Sequence, residues 1–298
     1  MEINLGSMTT EARNQASINL DTMSSLEIVQ LMNKEDEKVP AAIKGVLPLI
    51  AETVDRVVDA FERGGRLFYL GAGTSGRLGV VDASECPPTF GVSDGMVIGL
   101  IAGGESAFIK AVEGAEDSME LCVEDLKKRN LTSKDAVIGI AASGRTPYVI
   151  GGLDYARSLG CFTAAISCNC GSEIGKHSDI KIEVSPGPEI LTGSTRLKSG
   201  TTQKLILNMI STASMIRIGK CYKNFMVDVV QSNAKLHVRA QNIVMETTGV
   251  DRERAKEVLE KAGGSVKTAI VMILLSCGKE EAEKKLDIAK GHIRKAIG

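Results

Sequence analysis

Arg66-Leu-Phe-Tyr-Leu70 runs directly into Gly71-Ala-Gly-Thr-Ser-Gly-Arg77, which reads as a short apolar strand, a glycine- and hydroxyl-rich turn and the start of a helix. This stretch decides the fold class, because a strand, a glycine turn and a helix in that order open a wound α/β sheet. Further strands are expected at Val97 to Ala102, Ala136 to Ala141, Thr163 to Ser167 and Ile180 to Val184, each followed by a glycine or polar turn and then a helix. Five strands alternating with helices imply right-handed crossovers and one doubly wound, five-stranded parallel sheet. Ligands of such sheets bind beyond the carboxyl ends of the strands, so the loops at Gly71, Ala102, Ala142 and Ser167 should share one rim.

Composition agrees. The 298 residues are 43% hydrophobic with 31 glycines and no tryptophan, and Val, Ile, Leu and Ala outweigh aromatics, as buried parallel strands require. Thirty-six basic and 37 acidic side chains leave a net charge of −1, so no global field attracts nucleic acid or anionic lipid, and any anion site must be local. Met1 to Met8 lacks the basic and apolar regions of a secretory signal, and the apolar run near Ala269 to Cys277 is too short to span a bilayer. The expectation is a soluble, cytoplasmic protein. Seven cysteines at irregular spacing argue for reduced thiols, and Cys168-Asn-Cys170 lacks the spacing and the second pair of a zinc site.

Outside the sheet the chain reads as helical. Ser24-Ser25 caps one helix, Val39-Pro40 breaks it, and a second is expected from Ala41 to Glu62. After Ser185-Pro-Gly-Pro188 the pattern is helical through Lys220 and entirely helical from about Met226. Gly249, Asp251, Gly263-Gly264 and Ser265 punctuate a small terminal bundle.

Gly71-Ala-Gly73-Thr-Ser-Gly76 formally satisfies the dinucleotide pattern G-x-G-x-x-G. A dinucleotide site needs an acid at the end of the second strand for the ribose, yet Val97 to Ala102 runs into Gly103-Gly104. No Gly-Lys-Ser/Thr follows, which excludes a P-loop. Instead Thr74 and Ser75 offer hydroxyls where phosphate oxygens need donors. The third strand ends in a second such loop, Ala141-Ala-Ser143-Gly144-Arg145-Thr146-Pro147, where Thr146 reads as an N-cap before a first-turn proline. A third element, Gly187-Pro-Glu189-Ile-Leu-Thr-Gly-Ser194-Thr195-Arg-Leu-Lys198-Ser-Gly-Thr-Thr-Gln-Lys204, is again hydroxyl-rich and again opens a helix. Dipoles and hydroxyls of this kind let a nearly neutral chain cradle a phosphate.

Together these elements resemble the SIS family of phosphosugar-binding domains, with its flavodoxin-like sheet. The resemblance extends to the N-acetylmuramic acid 6-phosphate etherases. It is carried by Leu70 to Gly79, Asp82-Ala-Ser-Glu85-Cys-Pro-Pro-Thr-Phe-Gly91, Ala102-Gly-Gly-Glu105, Ala111-Val-Glu-Gly-Ala-Glu116-Asp, Ala141 to Tyr148 and Gly187 to Lys204, and it runs from about Thr10 to the C-terminus. It implies an N-terminal helical segment at 1–55, a phosphosugar-binding domain at 56–222 and a C-terminal helical bundle, similar to ubiquitin-associated folds, at 223–298. It implies cleavage of the lactyl ether of N-acetylmuramate 6-phosphate by elimination and water addition, with no redox cofactor or obligatory metal, in a homodimer. It assigns Glu85 as the proton donor to departing lactate and Glu116 as the group handling the C2 proton. Thr74, Ser75, Ser143, Gly144 and Thr146 become phosphate and sugar contacts, joined by Arg145, Ser194, Thr195 and Lys198. Arg77 stands either there or toward solvent. Glu189 is expected to contact hydroxyls or assist ring opening, and His237 either to assist it or to pack a helix. Two other readings stand beside the etherase. One is a sugar-phosphate aldose-ketose isomerase using Glu189. The other is a non-catalytic sensor resembling the glucokinase regulatory protein.

Overall fold

The computed structural model describes residues 8–110, 112–229, 231 and 234–298. Three short 3-10 turns, Thr9–Glu11, Gln15–Ser17 and Leu20–Thr22, precede helices α1 (Ser25–Asp36), α2 (Lys38–Lys44) and α3 (Leu47–Glu62). A capping box starts α1: Glu27 N donates to Ser24 Oγ, and Ser24 N donates to the Glu27 carboxylate at 2.7 Å. The helical boundaries differ from those expected. Pro40 lies in the first turn of α2, where a missing N–H does no harm, so the break falls at Glu37. The helix expected from Ala41 to Glu62 is interrupted at Gly45-Val46, because Pro48 cannot donate to the preceding turn and can only begin α3.

The sheet unit continues with β1 (Leu67–Gly71), α4 (Gly73–Phe90), β2 (Val97–Ile101), α5 (Ser106–Ile109), a 3-10 turn at Ala115–Asp117, α6 (Met119–Lys128), β3 (Ala136–Ala141), α7 (Pro147–Ser158), β4 (Phe162–Ser167), α8 (Glu173–Lys176), β5 (Ile180–Glu183) and α9 (Lys198–Arg217). All five strands are parallel in the order β2-β1-β3-β4-β5, with Leu67 level with Val97 on one side and Ala136 on the other. The flavodoxin-like doubly wound sheet expected from the sequence is therefore present, and each strand lies within a residue or so of its expected span. Phe68, Leu70, Val137, Tyr148, Leu153 and Ile174 belong to the buried core of one face. Helix α9 starts later than expected, because two prolines with Gly187 (φ +86°) and Gly193 (φ +78°) keep the chain out of helical geometry until Lys198.

By its contacts the chain forms two compact units. The residues up to Ser84 together with Gly95–Ser211 form one, and Glu85–Asp94 with Thr212–Gly298 form the other. In the second, a hairpin of β6 (Cys221–Tyr222) and β7 (Phe225–Met226) lies between the two stretches read as helix. Helices α10 (Ala234–Thr248), α11 (Arg252–Lys261), α12 (Val266–Leu275), α13 (Lys279–Ile288) and α14 (Ile293–Ala296) follow. Their punctuation is as read. Asp251 and Ser265 accept from the N–H groups of Arg254 and Thr268, and Gly249, Gly263 and Gly264 take positive φ after their helices.

Candidate active site

The sheet winds outward in both directions from β1 and β3, and the crevice beyond the carboxyl ends of such a pair is where open α/β sheets hold ligands. Both Ser-Gly-Arg loops leave from these two strands. After β1 the chain turns so tightly that a Cβ on Gly71 would lie 2.6 Å from Gly76 N. Thr74 and Ser75 consequently lie in the first turn of α4, whose N–H groups have no intrahelical acceptors and carry the positive end of the helix dipole. Thr74 is half-buried. Ser75 is buried, with its Oγ 2.9 Å from Gln203 Oε1. Arg77 turns away: its guanidinium donates to the carbonyls of Phe108 and Ala107, both at 2.8 Å, and so holds α5 in place.

The β3 loop is held from behind. Asn169 Nδ2 donates to the carbonyls of Ala142 (3.1 Å) and Ser143 (3.4 Å) and to Thr10 Oγ1 (3.0 Å), tying the loop to β4 and to the first described turn of the chain. Gly144 has φ +75°, and a Cβ there would meet Ser172 Cβ at 2.5 Å, so only glycine fits. Thr146 occupies the N-cap position of α7, as expected, but its side chain makes no capping hydrogen bond. Ser143, Arg145 and Thr146 are half-buried beside the open first turn of α7.

The third element is arranged differently. Glu189 is 1% exposed, and its two carboxylate oxygens accept from Lys198 N (3.0 Å) and Ser199 N (2.9 Å). It closes the N-terminus of α9, whereas α7 has no side-chain cap. Lys198, also 1% exposed, is ion-paired with Glu35 of α1, Nζ to Oε2 at 2.5 Å. Burial pushes the Glu35 carboxyl up, but hydrogen bonds from Lys198 and Lys38, with their charges, hold it below its ordinary value. Both Glu189 and Lys198, expected to touch ligand, are thus committed to protein partners. Ser194 and Thr195 are half-buried in the loop before α9.

Glu116 lies exposed in the 3-10 turn after Gly114. Glu85 is exposed on α4 in the second unit, and the helix continues through Pro87 and Pro88 where the sequence suggests a turn. His237 is exposed on α10, its Nδ1 2.8 Å from Gln231 Oε1. Cys168 is buried, and loss of solvation pushes its thiol up to about 12.

The sequence pattern of the SIS domain matches residues 119–213, and that of the glucokinase regulatory protein N-terminal SIS domain matches 49–157. An N-acetylmuramic acid 6-phosphate etherase from an Exiguobacterium species is 60% identical over 293 residues, covering 98% of this chain and 100% of its own. One from a Geobacillus species is 60% identical over 290 residues, covering 97% and 98%. The chain belongs to the N-acetylmuramic acid 6-phosphate etherase family. Among solved structures, a phosphoheptose isomerase from Francisella tularensis covers 65% of this chain and 100% of its own, with a TM-score of 0.53 and 18% identity, which shows a shared SIS fold.

Three residues that sequence reasoning passed over have roles. Gln203 meets Ser75, and Glu35 neutralises Lys198. Asp82, two turns after Ser75 on α4, accepts from Tyr69 Oη (3.0 Å), Asn208 Nδ2 (2.6 Å) and Ser211 Oγ (3.0 Å). Its carboxyl is raised, burial outweighing those donors. Asp82 and Gln203 stand inside quoted motifs, so an acid or amide amid small residues was the available signal. Nothing in the sequence marks Glu35.

Proposed function

We propose that this chain is a carbon-oxygen lyase that cleaves the D-lactyl ether of N-acetylmuramic acid 6-phosphate, giving N-acetylglucosamine 6-phosphate and D-lactate. The observation that carries the reading is the pair of hydroxyl-lined helix starts after β1 and β3, in a chain 60% identical to etherases over nearly its whole length. The dianionic phosphate is received by first-turn N–H groups and by the hydroxyls of Thr74, Ser75, Ser143 and Thr146, with Gly144 allowing close approach and Arg145 adding charge. Ser194 and Thr195 serve the sugar hydroxyls. Glu189 and Lys198 act indirectly, by building the start of α9.

In the ring-opened sugar the C2 proton is acidified by the C1 aldehyde, and the lactyl oxygen sits on C3, beta to it. Glu116 removes the C2 proton, the electron pair forms the C2=C3 double bond, and the C3–O bond breaks as Glu85 protonates the departing lactate oxygen. Water then adds at C3, giving its proton to Glu85, while C2 is reprotonated, which restores both carboxyl groups. Both glutamates are exposed, and their roles rest on the family motifs that hold them. The family resemblance further supports a homodimer working in the cytoplasm on amino sugars and wall fragments. Among the described residues no helix is long and apolar enough to cross a membrane.

Incubation with N-acetylmuramate 6-phosphate and an enzymatic assay for D-lactate tests the reading. Equimolar D-lactate and N-acetylglucosamine 6-phosphate are expected. Absence of lactate overturns it, and formation of a ketose from glucosamine 6-phosphate would support an isomerase instead. A monomer by light scattering would count against the dimer.

A further inference from the structure

Three buried side-chain polar atoms lack a hydrogen-bond partner among the described residues, and two of them, Ser199 Oγ and Gln203 Nε2, lie one turn apart on the same face of α9. Their neighbours behave differently, since Thr201 and Thr202 return their hydroxyls to the carbonyls of Leu197 and Lys198. The start of α9 lies against the start of α4: a Cβ on Gly200 would sit 3.6 Å from Thr74 Cγ2, and Gln203 reaches Ser75.

Gln203 is 1% exposed and Ser75 7%. With the amide carbonyl toward Ser75, the single O–H of Ser75 is taken up by Gln203, and an NH2 group carrying two protons is buried without an acceptor. A serine so bound offers only lone pairs to a ligand. A phosphate ester is itself purely an acceptor, so that state of Ser75 would repel the group its helix start attracts. The two ends of a side-chain amide have the same shape, and the 2.9 Å contact suits either orientation. With the amide turned, NH2 donates one proton to Ser75 Oγ, the carbonyl takes the place of the unpartnered donor, and the Ser75 proton is left for a phosphate oxygen.

We propose that Gln203 is a positioning residue that presents its NH2 to Ser75 Oγ and thereby makes Ser75 an obligatory donor to the phosphate of the ligand. The proposal rests on the phosphosugar reading above. It predicts that the two residues act as a unit. Titration calorimetry with N-acetylglucosamine 6-phosphate, on wild type and on Gln203→Met, Ser75→Ala and the double variant, measures this. Gln203→Met is expected to weaken binding about 10-fold in the wild-type background and less than about 2-fold in Ser75→Ala, the size of one hydrogen bond to a charged group. KM for the muramate substrate should rise with the same factor, far more than kcat falls. Gln203→Glu keeps the shape but, as a carboxylate, accepts at both ends, and it should weaken binding more than Gln203→Met and also lower the melting temperature, because it buries an unpaired charge. Equal losses in the two backgrounds would overturn the positioning role and leave the phosphosugar reading intact. A wild-type chain that does not bind the sugar phosphate would overturn both.

Discussion

Replacing Lys198 by methionine preserves length and removes one charge from a buried pair. The Lys198 side chain is 2% exposed and that of Glu35 4%, so the variant leaves a carboxylate in a dry site with only Lys38 as counter-ion. Breaking one side of a buried pair costs about 3–5 kcal/mol. Lys38 remains 2.6 Å from Glu35 but is more than half exposed, which favours the lower end, near ~3 kcal/mol. For a unit of this size that corresponds to a melting temperature lower by about 6–12 °C. The double variant Glu35→Met, Lys198→Met should return to within about 1 kcal/mol of wild type, since a packed apolar pair replaces the ion pair. The pH dependence has a definite sign. Glu35 is held below its ordinary value in the folded chain, so its contribution is present above that ordinary value and is lost as pH falls through the lowered native one. The penalty of Lys198→Met should therefore be largest near neutrality and shrink toward pH 4. Calorimetric melting across that range is the assay. A variant that melts within about 1 °C of wild type while KM rises steeply would refute the reasoning and return Lys198 to the ligand.

Asp82→Ala strands the Asn208, Ser211 and Tyr69 donors and should destabilise by about 3–5 kcal/mol, whereas Asp82→Asn, which keeps an acceptor toward Asn208 and Ser211, should lose less than about 1, both read from urea unfolding. Gly144→Ala forces a positive φ on alanine and drives its Cβ onto Ser172; a loss of at least about 2 kcal/mol and of sugar-phosphate binding is expected by melting and calorimetry. Glu85→Gln should abolish lactate release while leaving N-acetylglucosamine 6-phosphate binding largely intact, and near-normal turnover would remove Glu85 from the acid role.

Much of the architecture was legible in sequence because its causes are local. Strand spans follow from runs such as Ala136 to Ala141, and caps at Ser24, Asp251 and Ser265 depend on groups only a few residues away. The misreadings have local causes too. Pro48 splits an otherwise continuous helical pattern, and the stretch from Glu189 to Leu197 looks helical only if Gly193 is ignored. The β6–β7 hairpin is too short to register as alternation.

The loop from Gly71 to Arg77 and its counterpart at Ser143 were placed on one rim by sequence alone, since consecutive strand, turn and helix units in a parallel sheet put every such turn at the same edge. What each polar group on that rim does was decided by tertiary structure. Arg77 is drawn off to the carbonyls of Ala107 and Phe108, Glu189 closes α9 and Lys198 is neutralised by Glu35, 163 residues away. Ser75 meets Gln203 across a separation of 128 residues. Buried polar groups must find partners, and which partner arrives depends on how helices distant in sequence pack together. Motif spacing records the candidates for the site, and only packing selects which of them remain free to hold a phosphate.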